Sequence, residues 1–119
     1  MKQVLLGENL PHSLRHHTPN SATAVYAGFA GLENGKLLDA AERAGFEVLI
    51  TGDKTLHREQ NLTGRKIALI SLSAVNWPLI EPHIGKIVAA VEQAVSGSFT
   101  RIDCGTFRRS PRVPDPRPS

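Results

Sequence analysis

The sequence contains very little cysteine and few aromatic residues. Of 119 residues, Cys104 is the single cysteine, and aromatic side chains make up 5%. One cysteine excludes an internal disulfide framework and a cysteine-rich zinc site, and it suits a reducing cytoplasm. The shortage of aromatic residues argues against a nucleic-acid surface built on base stacking. A P-loop, a Gly-x-Gly-x-x-Gly motif and a Ser/His/Asp order are also absent, so nucleotide hydrolysis and triad catalysis have no support.

Long apolar runs are missing as well. No run approaches the roughly 20 residues that a transmembrane helix needs. The apolar start of the chain ends at Gly7 and is too short for the apolar region of a signal peptide. We therefore expect a soluble cytoplasmic protein that makes no contact with a membrane.

The net charge of +3 is concentrated at the end of the chain. Residues 1–100 carry nine basic and nine acidic side chains, whereas residues 101–119 carry five arginines against two aspartates. Four of the eight prolines also lie in this last stretch. We expect residues 104–119 to form a disordered Arg/Pro-rich tail and residues 1–103 to form one domain, since 40% apolar residues suffice for a core.

Apolar runs alternate with helical patterns along residues 1–103. The expected strands are short and show little polar interruption, which is typical of strands that are covered on both faces. This alternation predicts an α/β fold, a three-layer α/β/α sandwich around a mostly parallel sheet. Asn9 is expected to cap the first helix and Gly45 to end the second. The predicted strands are 3–6, 23–26, 48–51, 67–72 and 98–102, and the predicted helices are 10–17, 36–44 and 79–95.

Two acidic residues follow predicted strands. Asp53 comes just after the third strand and Glu8 just after the first. Open α/β sheets bind ligands at the carboxyl ends of their strands, and carboxylates there are suitable ligands for Mg²⁺ or Mn²⁺. Both residues also have a purely structural interpretation, because Asp53 suits a turn and Glu8 suits a helix amino terminus.

A basic segment follows Asp53 and Lys54. Positively charged side chains there could contact the phosphates of a nucleic acid, and two amides could orient a phosphate or a water molecule. The alternative is a solvated loop, because Glu59 places a negative charge among them. The predicted RNA-binding residues are Arg58, Gln60, Asn61, Arg65 and Lys66.

Four segments occur in an order that resembles the short bacterial PIN-like domains, relatives of VapC-type toxins. The resemblance covers about residues 3–102. It rests on residues 5–11 (LLGENLP), 31–38 (GLENGKLL), 40–53 (AAERAGFEVLITGD) and 60–65 (QNLTGR).

This resemblance implies a PIN-like fold and descent from Mg²⁺- or Mn²⁺-dependent endoribonucleases. In that family, acidic residues at the strand ends hold a metal ion that activates water for attack on an RNA phosphodiester. It also implies a toxin–antitoxin system, with RNA and a small antitoxin protein as partners, and it favours a homodimer.

The family's acidic residues transfer only partly to this sequence. Asp53 matches the acidic residue after the third strand, and Glu8 matches the residue that follows the first-strand acid. The first-strand acid itself falls on Gly7, and the helix-start acid falls near Asn34 or Lys36. The resemblance thus implies Asp53 and Glu8 as catalytic and metal-binding residues, in a cleft lined by Gly7, Asn9, Asn34, Lys36 and Lys54.

The missing acidic residues leave the present activity open. Mg²⁺ relies on a few well-placed carboxylates, so a two-carboxylate site binds it weakly, and Lys36 would repel it further. The sequence is compatible with a weakened nuclease and with a non-catalytic module that binds an antitoxin or RNA. It is also compatible with a toxin whose acidic residue at position 7 was replaced to permit expression.

Overall fold

Five short apolar segments pair into one sheet. They appear in a computed structural model that describes residues 2–32, 34–52, 62 and 64–104. Residues from the middle of the chain provide the longest fully buried strands, because Val, Leu and Ile fit a sheet that is buried on both sides. The strands are β1 (Val4–Leu6), β2 (Ser21–Thr23), β3 (Val48–Thr51), β4 (Ala68–Leu72) and β5 (Phe99–Ile102).

The helices lie between these strands in the chain. They are α1 (Ser13–His17), α2 (Asn34–Arg43), α3 (Trp77–Ile80) and α4 (Ile84–Gln93), with a 3₁₀ turn at Glu81–His83 between the last two. Gly45 follows the end of α2, as predicted, and has a φ of 91°. Among the described residues, no helix has the length and apolar character needed to cross a membrane.

The strands are all parallel and are arranged in the order β2-β1-β3-β4-β5. In the register of β1 and β3, Leu6 lies opposite Ile50. Strand order reverses between these two strands, so the chain leaves them in opposite directions along the sheet. Such a switch point opens a crevice at the carboxyl ends of the two strands.

Alternate residues of the strands enter two separate hydrophobic clusters. Leu5 and Leu49 belong to a cluster with Leu38 of α2. Their neighbours Leu6 and Ile50 belong to a second cluster, which includes residues of the other three helices, namely Leu14, Ile80 and Ile87. The protein is therefore a compact α/β domain around a five-stranded, all-parallel sheet.

The second strand lies earlier in the chain than predicted. It ends at Thr23, whereas residues 23–26 were the expected strand. The reason is that β1 ends at Leu6, which is the register partner of Thr23, so residues 24–26 have no strand beside them. They turn instead, with Phe29 N donating to the carbonyl of Ala24. Tyr26 consequently lies in a turn and not in the sheet.

Proline changes two of the predicted helices. The expected helix over 79–95 is interrupted by the 3₁₀ turn, because Pro82 has no N–H with which to continue the α-helical hydrogen bonds. The first helix begins only at Ser13, because Pro11 disfavours helical backbone at Leu10. The residue at its N-cap is His12, so the predicted capping role of Asn9 is wrong.

Candidate functional site

The candidate site lies where the chain leaves β1 and β3. Gly7 follows β1 and Gly52 follows β3, on the same edge of the sheet and on adjacent strands. This is the switch point, so the folded chain brings Glu8 and Gly52, the residue before Asp53, to one edge. Asp53 itself, together with Lys54, Arg58, Gln60 and Asn61, lies outside the described residues.

Gly7 continues the pairing of β1 beyond the end of the strand. Its N–H donates to the carbonyl of Ile50 over 2.9 Å, and its own carbonyl accepts from Leu10 N over 3.2 Å. The φ of Gly7 is not in the left-handed region. A Cβ atom at this position would lie 3.4 Å from the Ile50 carbonyl and 3.6 Å from Thr51 Oγ1, which is close to ordinary van der Waals contact. Both the backbone conformation and the space at position 7 therefore admit a Cβ atom.

Glu8 is exposed, and its carboxylate ties two loops together. Oε1 accepts a hydrogen bond from the backbone N–H of Gly31 over 3.1 Å. Gly31 lies in the loop between β2 and α2, so this bond joins the exit of β1 to the segment before α2. Glu8 thus has the structural role of fixing this loop, and the same carboxylate stands at the edge where a metal ligand is predicted.

The other predicted cleft residues have different surroundings. Asn9 is exposed next to Glu8. Lys36 is exposed in the first turn of α2, which contains no acidic residue. Asn34 begins α2, two residues before the predicted start, but its side chain lies outside the described part of the chain. The start of α2 therefore presents a positive charge at Lys36 and no acidic residue in its first turn.

Arg65 and Lys66 lie at the opposite edge of the sheet from Glu8. They precede β4, and the amino end of a parallel strand lies at the edge away from its carboxyl end. The five residues of β4 span about 16 Å, so Arg65 and Lys66 do not share one cleft with Glu8. The crossover from β3 to β4 has to return the chain to the starting edge, which separates its two ends.

Arg65 is paired with carboxylates of α2. Its Nη1 lies 2.9 Å from Asp39 Oδ1 and 2.9 Å from Glu42 Oε1. The second oxygen of Glu42 accepts from the backbone N–H groups of Lys66, over 2.6 Å, and of Ile67, over 3.3 Å. These bonds join the end of α2 to the start of β4. A contact of Arg65 or Lys66 with RNA stays a prediction, and it would involve a different nucleotide from one bound at Glu8.

No protein-family model, no curated protein and no solved structure matches this chain.

The donor set for a metal ion is small. Within the described ranges, no group of three or more His, Cys, Asp or Glu side chains is placed to hold a metal. Glu8 supplies one exposed carboxylate at the switch point, and Asp53 is predicted to supply another. Mg²⁺ is commonly held by one or two carboxylates together with water and substrate phosphate, so Glu8 with Asp53 would suit a hard cation.

The sequence did not predict the positions of three apolar or aromatic residues at this edge, namely Tyr26, Val25 and Val75. Tyr26 and Val25 are exposed in the turn after β2, and Val75 packs where a Cβ of Gly52 would lie. The glycines that frame the loop after β2 were the available signal for the turn, since Gly28 and Gly31 both have positive φ.

Cys104 is buried at the carboxyl end of β5. Its backbone N–H donates to Ser73 Oγ over 2.7 Å, and Ser73 Oγ donates to Asp103 Oδ1 over 3.3 Å. Burial is the main cause that raises the pKa of the Cys104 thiol, and the negative charge of Asp103 acts in the same direction. The thiol is thereby kept protonated, which suits a packing role better than a nucleophilic one.

Because the Cys104 thiol is buried and protonated, we expect it to react slowly with thiol reagents in the folded protein. We expect Ellman's reagent at pH 8 to label native Cys104 at least about tenfold more slowly than the chain in guanidinium chloride. Because the pKa is raised on folding, the favourable contribution of the thiol is present below its unfolded pKa and is lost as the pH rises through the folded pKa. Equal labelling rates in both states would contradict this prediction, and Cys104→Ser provides the blank.

Proposed function

We propose that this chain is a PIN-like, toxin-type protein of a toxin–antitoxin system, with the three-layer α/β/α arrangement of that family. Its ancestral activity is that of a metal-dependent endoribonuclease. Its proposed partners are RNA and a small antitoxin protein in the cytoplasm. The observation that carries the proposal is the switch point, where Glu8 and the segment leading to Asp53 leave adjacent strands at one edge.

The chain's own residues have distinct roles in this proposal. A bound Mg²⁺ or Mn²⁺ would polarise the phosphate and lower the pKa of a water molecule. Asp53 would be the principal ligand and Glu8 a helper. Lys36, exposed at the start of α2, would attract the phosphate of the RNA.

A second candidate function is non-catalytic binding of RNA or of an antitoxin. Two observations favour it over catalysis. Position 7 has no carboxylate, and the described oxygen contact of Glu8 is with the Gly31 backbone. This candidate keeps the same edge as the binding surface, and it predicts complex formation without cleavage.

Metal-dependent cleavage of a fluorescent single-stranded RNA separates the two candidates. We expect slow cleavage with Mn²⁺, none with EDTA, and a loss of at least about tenfold in Asp53→Asn, since the ion supplies most of the charge stabilisation. Glu8→Gln should lose less. Glu92→Gln is the matched control, because Glu92 is an exposed carboxylate in the last turn of α4, away from the site.

The cleavage and binding results distinguish a wrong site from a non-catalytic binding module. Cleavage that persists in EDTA, or that is unchanged in Asp53→Asn, would contradict the proposed site. RNA binding without any cleavage, and with a melting temperature that does not respond to Mn²⁺, would favour the binding module.

A further inference from the structure

Tyr26 is the most exposed large side chain among the described apolar and aromatic residues. It is the only tyrosine of the chain, it is 81% exposed, and its neighbour Val25 is 60% exposed. Most other large apolar side chains of the described regions are buried in the two clusters. Tyrosine is enriched at binding interfaces, because its ring is apolar and its hydroxyl is polar.

The turn that carries Tyr26 is held by hydrogen bonds on both sides. Tyr26 N donates to Thr23 Oγ1 over 3.1 Å, and Ala27 N donates to the Thr23 carbonyl over 3.0 Å. Phe29 N donates to the Ala24 carbonyl over 2.8 Å. Phe29 packs against the cluster of α2 and makes an edge-to-face contact with Phe46 at 6.3 Å. The exposure of Tyr26 is thus imposed by a fixed turn.

This turn belongs to the same edge as the candidate site. Thr23 is the register partner of Leu6, and Ala24 N donates to the Leu6 carbonyl over 2.8 Å. Glu8 binds Gly31 at the other end of the loop. Three residues of chain reach at most about 10 Å, so Tyr26 stands within that chain length of the end of β2, the neighbour of β1.

We propose that Tyr26 is a stacking platform for an unpaired base of single-stranded RNA held at the switch point. This inference rests on the proposed function and names the form of its substrate. Stacking on a tyrosine ring requires an unpaired base and tolerates any base, because each has a π-face. One stacking residue is compatible with the low aromatic content of the chain. That low content argues against a surface on which several bases stack.

The small exposed area of the Tyr26 ring and its polar surroundings favour an RNA base over a protein partner. One tyrosine buries about 150–250 Å², whereas a stable protein interface buries about 800 Å² on each partner. Other exposed residues on this edge of the sheet are Glu8 and Asn9, which are polar. One exposed ring on a polar edge matches the area of a single base.

Binding of a labelled ten-nucleotide RNA, followed by fluorescence anisotropy in EDTA, tests the platform without any cleavage. We expect Tyr26→Ala to weaken binding of single-stranded RNA by about 5- to 150-fold and Tyr26→Phe to retain it. Val95→Ala is the matched control, because Val95 is equally an exposed apolar residue but precedes β5, at the other edge. Binding of an RNA duplex should not respond to Tyr26→Ala.

Three results would overturn the inference, and they differ in what else they affect. If the wild-type protein binds RNA and Tyr26→Ala binds it equally well, the platform is wrong and the proposed function stands. If the wild-type protein binds no RNA in EDTA and none with Mn²⁺, the proposed function fails as well. If Tyr26→Ala converts a dimer into a monomer and leaves RNA binding unchanged, the ring belongs to an interface between copies. An unchanged melting temperature of Tyr26→Ala verifies that the variant is folded.

Discussion

Gly7→Asp is expected to produce the largest gain of function, an increase in metal-dependent RNA cleavage on the order of a hundredfold. Such an increase corresponds to about 2.7 kcal/mol of transition-state stabilisation, a modest share of what a bound metal ion supplies. The structure admits the change, because position 7 has ordinary backbone geometry and a Cβ there would lie 3.4 Å or more from its neighbours. The new carboxylate would stand at the switch point next to Glu8, at the position where the proposed PIN-like relationship expects an acidic residue.

The same variant should respond to metal in its stability. Without metal we expect a lower melting temperature than that of the wild type, since like charges would adjoin at one strand end. Saturating Mn²⁺ should reverse this, by about 2.7 kcal/mol at a hundredfold excess over the dissociation constant. Gly7→Asn has almost the same shape without the charge and is the control. A Gly7→Asp variant that neither binds metal nor cleaves RNA would show that the catalytic site lies elsewhere.

Glu42→Ala is expected to cause the largest loss of stability among the variants considered, about 2 kcal/mol, or a melting temperature lower by about 10 °C. Glu42 accepts from Arg65 and from the backbone N–H groups of Lys66 and Ile67. Arg65 is only 18% exposed, so removal of Glu42 leaves a partly buried guanidinium and two backbone donors short of a partner. Thermal or urea unfolding measures the loss.

Asp39→Asn removes the charge of the exposed ion pair with Arg65 and leaves the hydrogen bonds of Glu42 in place. It therefore shows how much of the stability comes from the ion pair alone. Asp39 is 53% exposed and contacts only one nitrogen of Arg65, so we expect a loss below about 1 kcal/mol. Glu42→Gln should fall between the two variants, because it keeps an oxygen acceptor and removes the charge. Equal effects of Glu42→Ala and Asp39→Asn would contradict the importance of the backbone hydrogen bonds.

Local pattern was enough to predict most of the strands. The run Val48–Thr51 was predicted with its observed bounds, because four apolar or β-branched residues between Glu47 and Gly52 permit little else. The second strand was placed too late, because its end depends on where β1 stops and not on the β-propensity of residues 24–26. The predicted helix over 79–95 was apolar at the correct spacing, but the backbone of Pro82 divides it.

The candidate site was predictable in part for the same reason. The positions of Gly7 and Glu8 after β1 follow from the strand pattern together with the rule for parallel sheets. Two contacts and one exposure did not follow from it: the bond from Gly31 to Glu8, the pairing of Arg65 with Glu42, and the exposure of Tyr26. Each depends on which loop meets which, and this is set by the order of the strands.

The sequence by itself determined the α/β class, the parallel sheet and the presence of polar residues at strand ends, because periodicity and strand polarity are local properties. It also determined that residues 1–100 are neutral, so the net charge of +3 describes the end of the chain. Only the tertiary structure decided that Arg65 and Lys66 lie at the far edge and that Tyr26 is exposed in the turn after β2, the strand beside β1. The physical reason is that a crossover carries the chain from one edge of the sheet to the other, so residues close in sequence separate and distant ones meet.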